Sequence, residues 1–210
     1  MHHTRIISNG RLEVPDNSAQ LSERTRKTRL RLLIAFNKLI LERGYARLTV
    51  GAVVDTAGVG RSTFYEHFET RDDILRQSLM PFFSILADTV TAADVSEQLS
   101  DIIAHFWENR VLARVLFGGS TRPLVSRMLS DLILSRLVAI SRKSHRPAPI
   151  VPLELVAASL ADSQLGVIVE WCGGSGDVKP AVVAELIHGT SRAIVSAGLV
   201  FRPGRDRGDR

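Results

Sequence analysis

The feature that most constrains the fold of this chain is a pair of short helical segments separated by only three residues, Gly58-Val59-Gly60. Thr49 is a suitable N-cap for an apolar stripe over Val50–Ala57, and Gly58 suits the left-handed turn that ends a helix. The second segment spans Arg61–Phe68. Two short helices joined by a three-residue turn that contains glycine predict a helix-turn-helix.

The second segment has one apolar face and one polar face. Phe64 and Phe68 lie four residues apart and therefore share the buried face of the helix. The exposed face is short and rich in hydrogen-bond donors: Arg61, Ser62, Thr63 and Tyr65. Such a face suits the major groove of DNA, where the first residues of a recognition helix read base edges and hydroxyls bind phosphates.

The positive charge of the chain is concentrated in its N-terminal part. Residues 1–80 contain 13 Lys and Arg against 9 Asp and Glu, whereas the rest contains 14 against 13. Five of these basic side chains stand close together: Arg24, Arg26, Lys27, Arg29 and Arg31. A basic front on a near-neutral body favours an acidic polymer, such as nucleic acid, as the partner. A solvated helix face would explain the same charges, so both interpretations stay open at this point.

The rest of the chain also has helical periodicity, and no segment alternates long enough to predict a strand. We therefore predict an all-α protein of about nine helices. The expected units are a flexible N-terminal arm over 1–20, a helix-turn-helix domain over 21–70, a helical body over 71–201 and a disordered tail over 202–210. Thr70 is expected to begin a long helix that contains Pro81, where a kink is favoured.

The run LERGYARLTVGAVVDTAGVGRSTFYEHFETRDDIL, residues 41–75, resembles the DNA-binding head of TetR-family transcriptional repressors. The matching features are Gly44-Tyr45, Thr49, Ala57-Gly58-Val59 and Phe64-Tyr65-Glu66-His67-Phe68 at the family's spacing. The match extends over roughly residues 25–80. It implies a ligand-responsive transcription regulator, most commonly a repressor, with a three-helix DNA-binding head followed by a ligand-binding and dimerisation domain over 71–201.

The resemblance also implies a role for individual residues of the head. Arg61, Ser62 and Thr63 would reach bases, and Tyr65 and His67 would bind phosphates. Further DNA contacts are expected from the two ends of the motif and from the basic start of the first helix: Arg24, Lys27, Thr49, Gly60 and Arg71. Tyr65 as an ordinary half-buried tyrosine, and His67 as a core or surface histidine, remain alternatives. Leu48 and Val54 depart from the family pattern.

Two segments near the C-terminus have too many apolar residues for the surface of a monomer. Leu153–Trp171 is apolar on most sides, and Ala181–Leu199 is similar. We expect a second copy of the chain to cover them in a four-helix bundle, through Leu160, Val167, Ile168, Leu186 and Ile194. A two-fold dimer would place two heads on successive major grooves, and its operator would be a near-palindrome with half-sites about 34–36 Å apart.

The middle of the body is the expected sensor for a small-molecule effector. The resemblance implies such an effector, and an apolar pocket for it is predicted from Phe106, Trp107, Phe117, Met128 and Trp171. A mainly apolar pocket favours a hydrophobic effector. Each of these residues could equally be plain core, and this alternative stays open. The polar anchors that the sequence offers are His105, Glu108 and Arg114.

Other classes of protein fit the sequence less well. The run Gly173–Asp177 fails the nucleophile-elbow pattern, and the chain has neither a dinucleotide fingerprint nor a metal-ligand motif. We therefore predict no enzyme, no cofactor and no metal site. One cysteine and no uninterrupted apolar run of about 18 residues favour a cytoplasmic protein without a membrane partner. A non-specific or architectural DNA-binding protein, and a helical ligand-binding protein that has lost DNA binding, are the remaining alternatives.

Overall fold

The structure is a computed structural model that describes residues 23–144, 149–174 and 178–199. Over these ranges it is all-α, as predicted, with two 3-10 helices, Tyr45–Arg47 and Gly119–Thr121. The α-helices are α1 (Glu23–Arg43), α2 (Val50–Ala57), α3 (Arg61–Tyr65), α4 (Arg71–Asp88), α5 (Glu97–Glu108), α6 (Arg110–Phe117), α7 (Arg122–Ser144), α8 (Leu153–Gly173) and α9 (Pro180–Gly198). The expected arm over 1–20 and the expected tail over 202–210 lie outside the described residues.

The predicted helix ends of the head are confirmed by their hydrogen bonds. The Thr49 hydroxyl accepts from the Ala52 amide at 3.2 Å, and the Thr70 hydroxyl accepts from the Asp73 amide at 3.0 Å. Each bond satisfies an amide that has no partner within the helix. Gly58 ends α2 with φ +62° in the left-handed region, and the Val59 amide donates to the Val54 carbonyl at 3.0 Å. These contacts fix the turn between α2 and α3.

Two helices of the head differ from the expectation. α1 begins at Glu23, earlier than the apolar periodicity. Its first turns are mostly exposed and basic, so the apolar pattern does not reveal them. α3 ends at Tyr65 instead of Phe68. The His67 and Phe68 amides both donate to the Phe64 carbonyl, at 2.9 and 2.8 Å, so a turn continues the helix and still brings Phe68 below it. The long helix α4 runs through Pro81 as one element.

The core of the head is formed by the apolar faces of α1, α2 and α3. Phe36, Phe64 and Phe68 are almost completely buried, at 0%, 0% and 1% exposure. Leu48 and Val54, which depart from the family pattern, are buried in the same core at 3% exposure each. The rings of Phe64 and Phe68 lie 5.6 Å apart, so both sides of the turn after α3 are anchored in the core.

Helix α8 is the central helix of the body and contacts α6, α7 and α9. Leu160 and Ile168 are both 0% exposed inside a single chain. The expectation that these two side chains lie in a dimer interface is therefore wrong, because neighbouring helices of the same chain already cover them. The face of α8 that a second copy would have to cover is narrower than the apolar composition predicts.

By length and composition α8 could cross a membrane, since a window of it has a mean hydropathy of 1.3. Glu154, Asp162 and Glu170 interrupt its apolar residues, so the helix contains no uninterrupted apolar run of about 18 residues. In this fold 44% of that window is buried, and the side chains that point inwards pack on α6, α7 and α9. Such burial is typical of the core helix of a helical protein.

The left-handed conformation of Gly58 leads to a test of the turn. A Gly58→Ala substitution should lower the free energy of unfolding by about 1–2 kcal/mol, because a Cβ is strained at positive φ. Gly58→Asn at the same position should lose less, since Asn tolerates this conformation better. Urea unfolding of both variants checks the expectation, and equal losses for Ala and Asn would contradict it.

Candidate nucleic-acid interface

The exposed face of α3 is polar, as the sequence predicts. Arg61, Ser62 and Tyr65 are exposed and Thr63 is half-buried. Tyr65 is 57% exposed although its ring contacts Phe64 edge-on with the centroids 5.4 Å apart. This exposure argues against the alternative of an ordinary half-buried tyrosine. The structure thus brings a guanidinium, two hydroxyls and a phenol together on one short surface.

The Arg61 guanidinium lies across the first turn of α2. A Cβ built on Gly51 would be 3.2 Å from Arg61 Nη2 and 3.8 Å from Thr49 Oγ1. Gly51 therefore leaves room for the arginine beside the exposed Thr49 hydroxyl. This neighbourhood, which no sequence motif indicated, places two predicted contact residues from different helices side by side.

A groove of about 560 Å³ separates the start of α1 from the turn before α3. It brings together four of the predicted contact residues: Arg24, Lys27, Gly60 and Thr63. Lys27 Nζ lies 2.7 Å from Glu23 Oε1, but both side chains are more than 60% exposed. Such a pair contributes little to stability and leaves the ammonium accessible to a phosphate.

Arg31 links α1 to the turn of the helix-turn-helix. Its Nη2 donates to the Gly58 carbonyl at 3.1 Å, at the end of α2. The last carbonyls of a helix have no partner within the helix and attract a cation. The sequence marked Arg31 only as one member of a basic cluster. Its partner lies 27 residues away, so spacing along the chain could not identify this contact.

The predicted DNA contact of Arg71 stays a prediction, and part of its guanidinium is already engaged within the head. Its Nη1 donates to the Tyr45 carbonyl at 3.3 Å and to the Leu48 carbonyl at 3.1 Å, and the guanidinium lies 4.4 Å from the Tyr45 ring centre. These contacts hold the charge inside the head and join α4 to the first 3-10 helix. The Tyr45 hydroxyl donates to the Asp72 carboxylate, and burial together with that carboxylate raises the pKa of Tyr45.

His67 is half-buried next to the Phe68 ring. Burial lowers the pKa of His67 from its usual value, and the nearby Arg29 charge lowers it further. Arg29 itself lies over the Phe68 ring at 5.0 Å. The imidazole is therefore neutral at neutral pH, and it can offer a phosphate a neutral N–H but not a positive charge. Both the phosphate role and the structural role of His67 remain compatible with this position.

The helix-turn-helix geometry of the head agrees with a match to a known family of regulators. Residues 33–77 match the family model described as bacterial regulatory proteins, tetR family. The head of the chain is thus identified as a TetR-family DNA-binding domain. The matched residues run from the second half of α1 to the first half of α4, and thus cover the head with its turn and its exposed helix. No curated protein shows significant sequence similarity to the chain.

Solved structures extend the similarity of fold to the body of this chain. A TetR transcriptional regulator from Streptococcus agalactiae is 23% identical with a TM-score of 0.51, covering 80% of this chain and 95% of that one. NalD, the secondary repressor of the MexAB-OprM multidrug efflux pump in Pseudomonas aeruginosa, is 20% identical with a TM-score of 0.50, covering 89% and 100%. At these identities the likeness concerns the fold alone.

In the body of the protein, the residues predicted to line the effector pocket separate into two groups. Phe106 and Phe117 contact each other edge-on at 5.1 Å between ring centres and are buried, as is Met128. Trp107 and Trp171 form another pair at 4.9 Å and are only half-buried. Their ring contacts join the four aromatic residues in two pairs, and the role of the five as a pocket remains a prediction.

The polar residues proposed beside that pocket are also dispersed. His105 is buried with its ring stacked on Phe82 at 5.2 Å, and burial lowers its pKa. Glu108 and Arg114 are exposed. A cavity of about 290 Å³ does occur elsewhere, where the end of α4 meets the start of α5 and the middle of α9. None of the predicted pocket residues lines it, and its own lining includes Asp88, Asp94 and His188, which the sequence analysis missed.

The described residues contain no group of three His, Cys, Asp or Glu side chains arranged to hold a metal ion. Cys172 is buried, and burial raises the pKa of its thiol to about 11. A thiol that stays protonated at neutral pH is a poor nucleophile and a poor ligand.

The remaining residues predicted for the dimer interface are accessible. Leu186 is 51% exposed, and Val167 and Ile194 are half-buried. They lie on the outer faces of α8 and α9, unlike Leu160 and Ile168. The correction of the interface therefore concerns two of its five residues.

The contacts of Arg71 predict that it stabilises the head. Arg71→Gln should lower the free energy of unfolding by about 1–3 kcal/mol, because two carbonyls lose a charged donor. Arg76→Gln removes the same charge from an exposed position one turn later in α4 and should change it by less than about 0.5 kcal/mol. Denaturant unfolding compares the two variants. An equally small loss of unfolding free energy in both would show that Arg71 does not stabilise the head.

Proposed function

We propose that the protein is a ligand-responsive repressor that binds a near-palindromic DNA operator as a homodimer in the cytoplasm and is released by a small effector. The observation that carries this proposal is the division of α3 into two faces. Phe64 and Phe68 are buried in the head, while Arg61, Ser62 and Tyr65 face solvent. Docking in a major groove requires a short helix with an exposed polar face, fixed in place by the packing of its opposite face.

The proposed contacts divide into those that read sequence and those that position the head. Arg61, Ser62 and Thr63 begin α3 and would face base edges, with Gly60 allowing the backbone to approach closely. The positioning contacts to phosphates would come from exposed donors around them: Arg24, Lys27, Thr49 and Tyr65. His67 would add a neutral donor. Arg71 would contribute less to positioning, because its Nη1 already donates to two carbonyls of the head.

The proposed dimer uses the outer faces of α8 and α9. The exposed stripe of α9 repeats every three or four residues and consists of apolar and small side chains: Val182, Leu186, Gly189, Ala193 and Ala197. Small residues let two helices approach closely. Leu155 on α8 is 59% exposed and extends the apolar surface. Two copies paired through these faces would form a four-helix bundle, with half-sites about 34–36 Å apart on the DNA.

Helix α4 offers a physical route from an effector to the DNA. Its first residue, Arg71, holds the first 3-10 helix of the head, and its last turn lines the cavity of about 290 Å³. An 18-residue helix spans about 27 Å, so a small displacement at one end would move the head at the other. Release requires that the effector bind the DNA-incompetent arrangement more tightly than the competent one.

A non-specific or architectural DNA-binding protein is the alternative. Selection of bound duplexes from a random pool by the full-length protein distinguishes the two. A specific dimer should enrich two inverted half-sites separated by one helical turn. Enrichment of no sequence at any salt concentration would support non-specific phosphate binding and contradict the proposal.

The exposure of Arg61 predicts a role in sequence preference. Arg61→Ala should weaken binding to the selected operator by about 1–3 kcal/mol and relax the preference at one base pair of each half-site, because a bidentate arginine–guanine contact is lost. Arg142→Ala removes the same charge from an exposed position on α7 and should leave the affinity unchanged. Fluorescence anisotropy on operator and single-base variants provides the measurement; uniform weakening on all sequences would make Arg61 a phosphate contact.

The stripe on α9 predicts the dimer interface. Leu186→Arg should convert the dimer to monomers, because a desolvated charge would face its own copy across the two-fold axis. Val111→Arg introduces the same side chain at a site on α6 that is 65% exposed and should leave the dimer intact. Sedimentation velocity measures both, with circular dichroism to verify folding. A folded, dimeric Leu186→Arg variant would move the interface elsewhere.

A further inference from the structure

We propose that polar contacts from α8 and α9 to the end of α4 determine which spacing of operator half-sites the dimer accepts. This inference rests on the proposed function, because it concerns the distance between the two heads of the proposed dimer. The contacts come from four side chains, which we call the polar latch: Gln164 on α8, and His188, Ser191 and Arg192 on α9. All four lie outside the proposed DNA contacts and the proposed dimer face.

The centre of the polar latch is a buried amide. Gln164 Nε2 lies within hydrogen-bond distance of three acceptors: the Leu86 carbonyl at 3.3 Å, Thr89 Oγ1 at 3.0 Å and Ser191 Oγ at 2.9 Å. Gln164 and Ser191 are each 1% exposed, and Thr89 is 3% exposed. The Thr89 hydroxyl also donates to the Leu86 carbonyl at 2.7 Å. One amide therefore joins the last turn of α4 to both α8 and α9.

Two further side chains of the polar latch hold the connection between α4 and α5. Arg192 Nη1 donates to the Ala92 and Ala93 carbonyls, at 3.3 and 3.0 Å. His188 Nε2 lies 3.2 Å from the Ala92 carbonyl. The end of α4 and the residues that follow it are thus attached to α9 by polar side chains at successive points.

The polar latch and the proposed dimer stripe lie on different sides of α9. His188, Ser191 and Arg192 are three or four residues apart and share one side of the helix. His188 and Ser191 are buried, whereas Leu186 of the stripe is 51% exposed. One helix therefore contacts the end of α4 on one side and, in the proposed dimer, the second copy on the other. The position of α4 relative to the two-fold axis depends on this helix.

The other end of α4 is fixed to the head. Arg71 Nη1 donates to the Tyr45 and Leu48 carbonyls, and the Tyr45 hydroxyl donates to the Asp72 carboxylate. The 18 residues of α4 span about 27 Å between these contacts and the polar latch. A helix held by hydrogen bonds at both ends thus connects each head to the proposed dimer face. The separation of the heads follows from how firmly both ends are held.

Hydrogen bonds fix a position more sharply than apolar packing does. α4 packs on α1, α5 and α7, and apolar contacts of this kind have no preferred direction. The bonds of the polar latch depend on distance and angle, so they define where the last turn of α4 lies against α9. Within the described residues, Gln164 Oε1 is buried without a hydrogen-bond partner. Such an unmet acceptor reduces the contribution of the amide to stability, which favours a role in positioning.

A triple variant tests this role by making the centre of the polar latch apolar. Gln164→Leu, Thr89→Val and Ser191→Ala together replace hydrogen-bonding partners with side chains of similar shape, so the melting temperature should change by less than about 5 °C. Ile168→Val is the control, because it removes one methyl group from the core side of the same helix α8 and leaves the polar latch intact.

Discrimination between half-site spacings is the decisive measurement. It compares the affinity for the selected operator with that for the same operator lengthened by one base pair, about 3.4 Å, between its half-sites. The wild type and Ile168→Val should prefer the selected spacing about tenfold, and the triple variant about twofold. Base changes within a half-site should cost all three proteins the same factor, because α3 is unaltered. A folded, dimeric triple variant with undiminished spacing discrimination would overturn the proposal.

A substitution at the surface keeps the test valid if the triple variant does not fold. Arg192 is exposed, and Arg192→Met removes its two bonds to the connection; it should lower the spacing preference to about threefold. Arg127→Met removes the same charge from an exposed position of α7 and should leave the preference unchanged. An Arg192→Met variant that prefers the selected spacing as strongly as Arg127→Met does would also contradict the proposal.

The distance between the heads separates this inference from the proposed function. Cys172 is the single cysteine, so Cys172→Ala with Glu42→Cys at an exposed position of α1 carries one spin label per protomer. Without DNA, pulsed dipolar EPR should give a narrow distance distribution for the intact polar latch and a broader one for the triple variant. A broader distribution in a protein that selects no operator would contradict the repressor function alone. An unchanged distribution in a protein that selects a palindrome would contradict the latch alone, and a monomer would contradict both.

Discussion

The head depends on the burial of two phenylalanine rings beneath its shortest helix. α3 has only five residues, and isolated helices of that length do not persist in water. Phe64 and Phe68 anchor it and the following turn in a core shared with α1 and α2. Their burial also sets the rotation of the helix, so that Arg61, Ser62 and Tyr65 must face solvent. The polar surface offered to DNA is thus a consequence of packing on the opposite side.

The arginines of the head serve two different purposes. Arg31 and Arg71 donate to backbone carbonyls and join elements that are distant in the chain, whereas Arg24 and Arg61 remain accessible to an external anion. The physical reason is that carbonyls at helix ends and in short 3-10 turns need donors, and a guanidinium can serve several of them at once. Positive charge near a recognition helix is therefore not equivalent to positive charge available for DNA.

The body combines a helix that is largely internal with one whose outer face is apolar. α8 is covered by α6, α7 and α9, while α9 buries one side and exposes another. The same helix α9 contributes His188 to the cavity at the end of α4. The cavity, the proposed dimer face and the helix α4 that reaches the head are consequently adjacent.

The sequence by itself determined the local features of this protein: the caps at Thr49 and Thr70, the left-handed turn at Gly58 and the two faces of α3. Each depends on residues within about four positions of one another, so periodicity and residue type suffice to predict them. The tertiary structure decided the partners that lie far apart in sequence. It joined Arg71 to backbone carbonyls of the head, buried Leu160 and Ile168, and gave Phe106 and Trp107 different ring partners. It also placed His188 against residues 85–99 to line a polar cavity, because which faces of the helices meet is set by the packing of the whole chain.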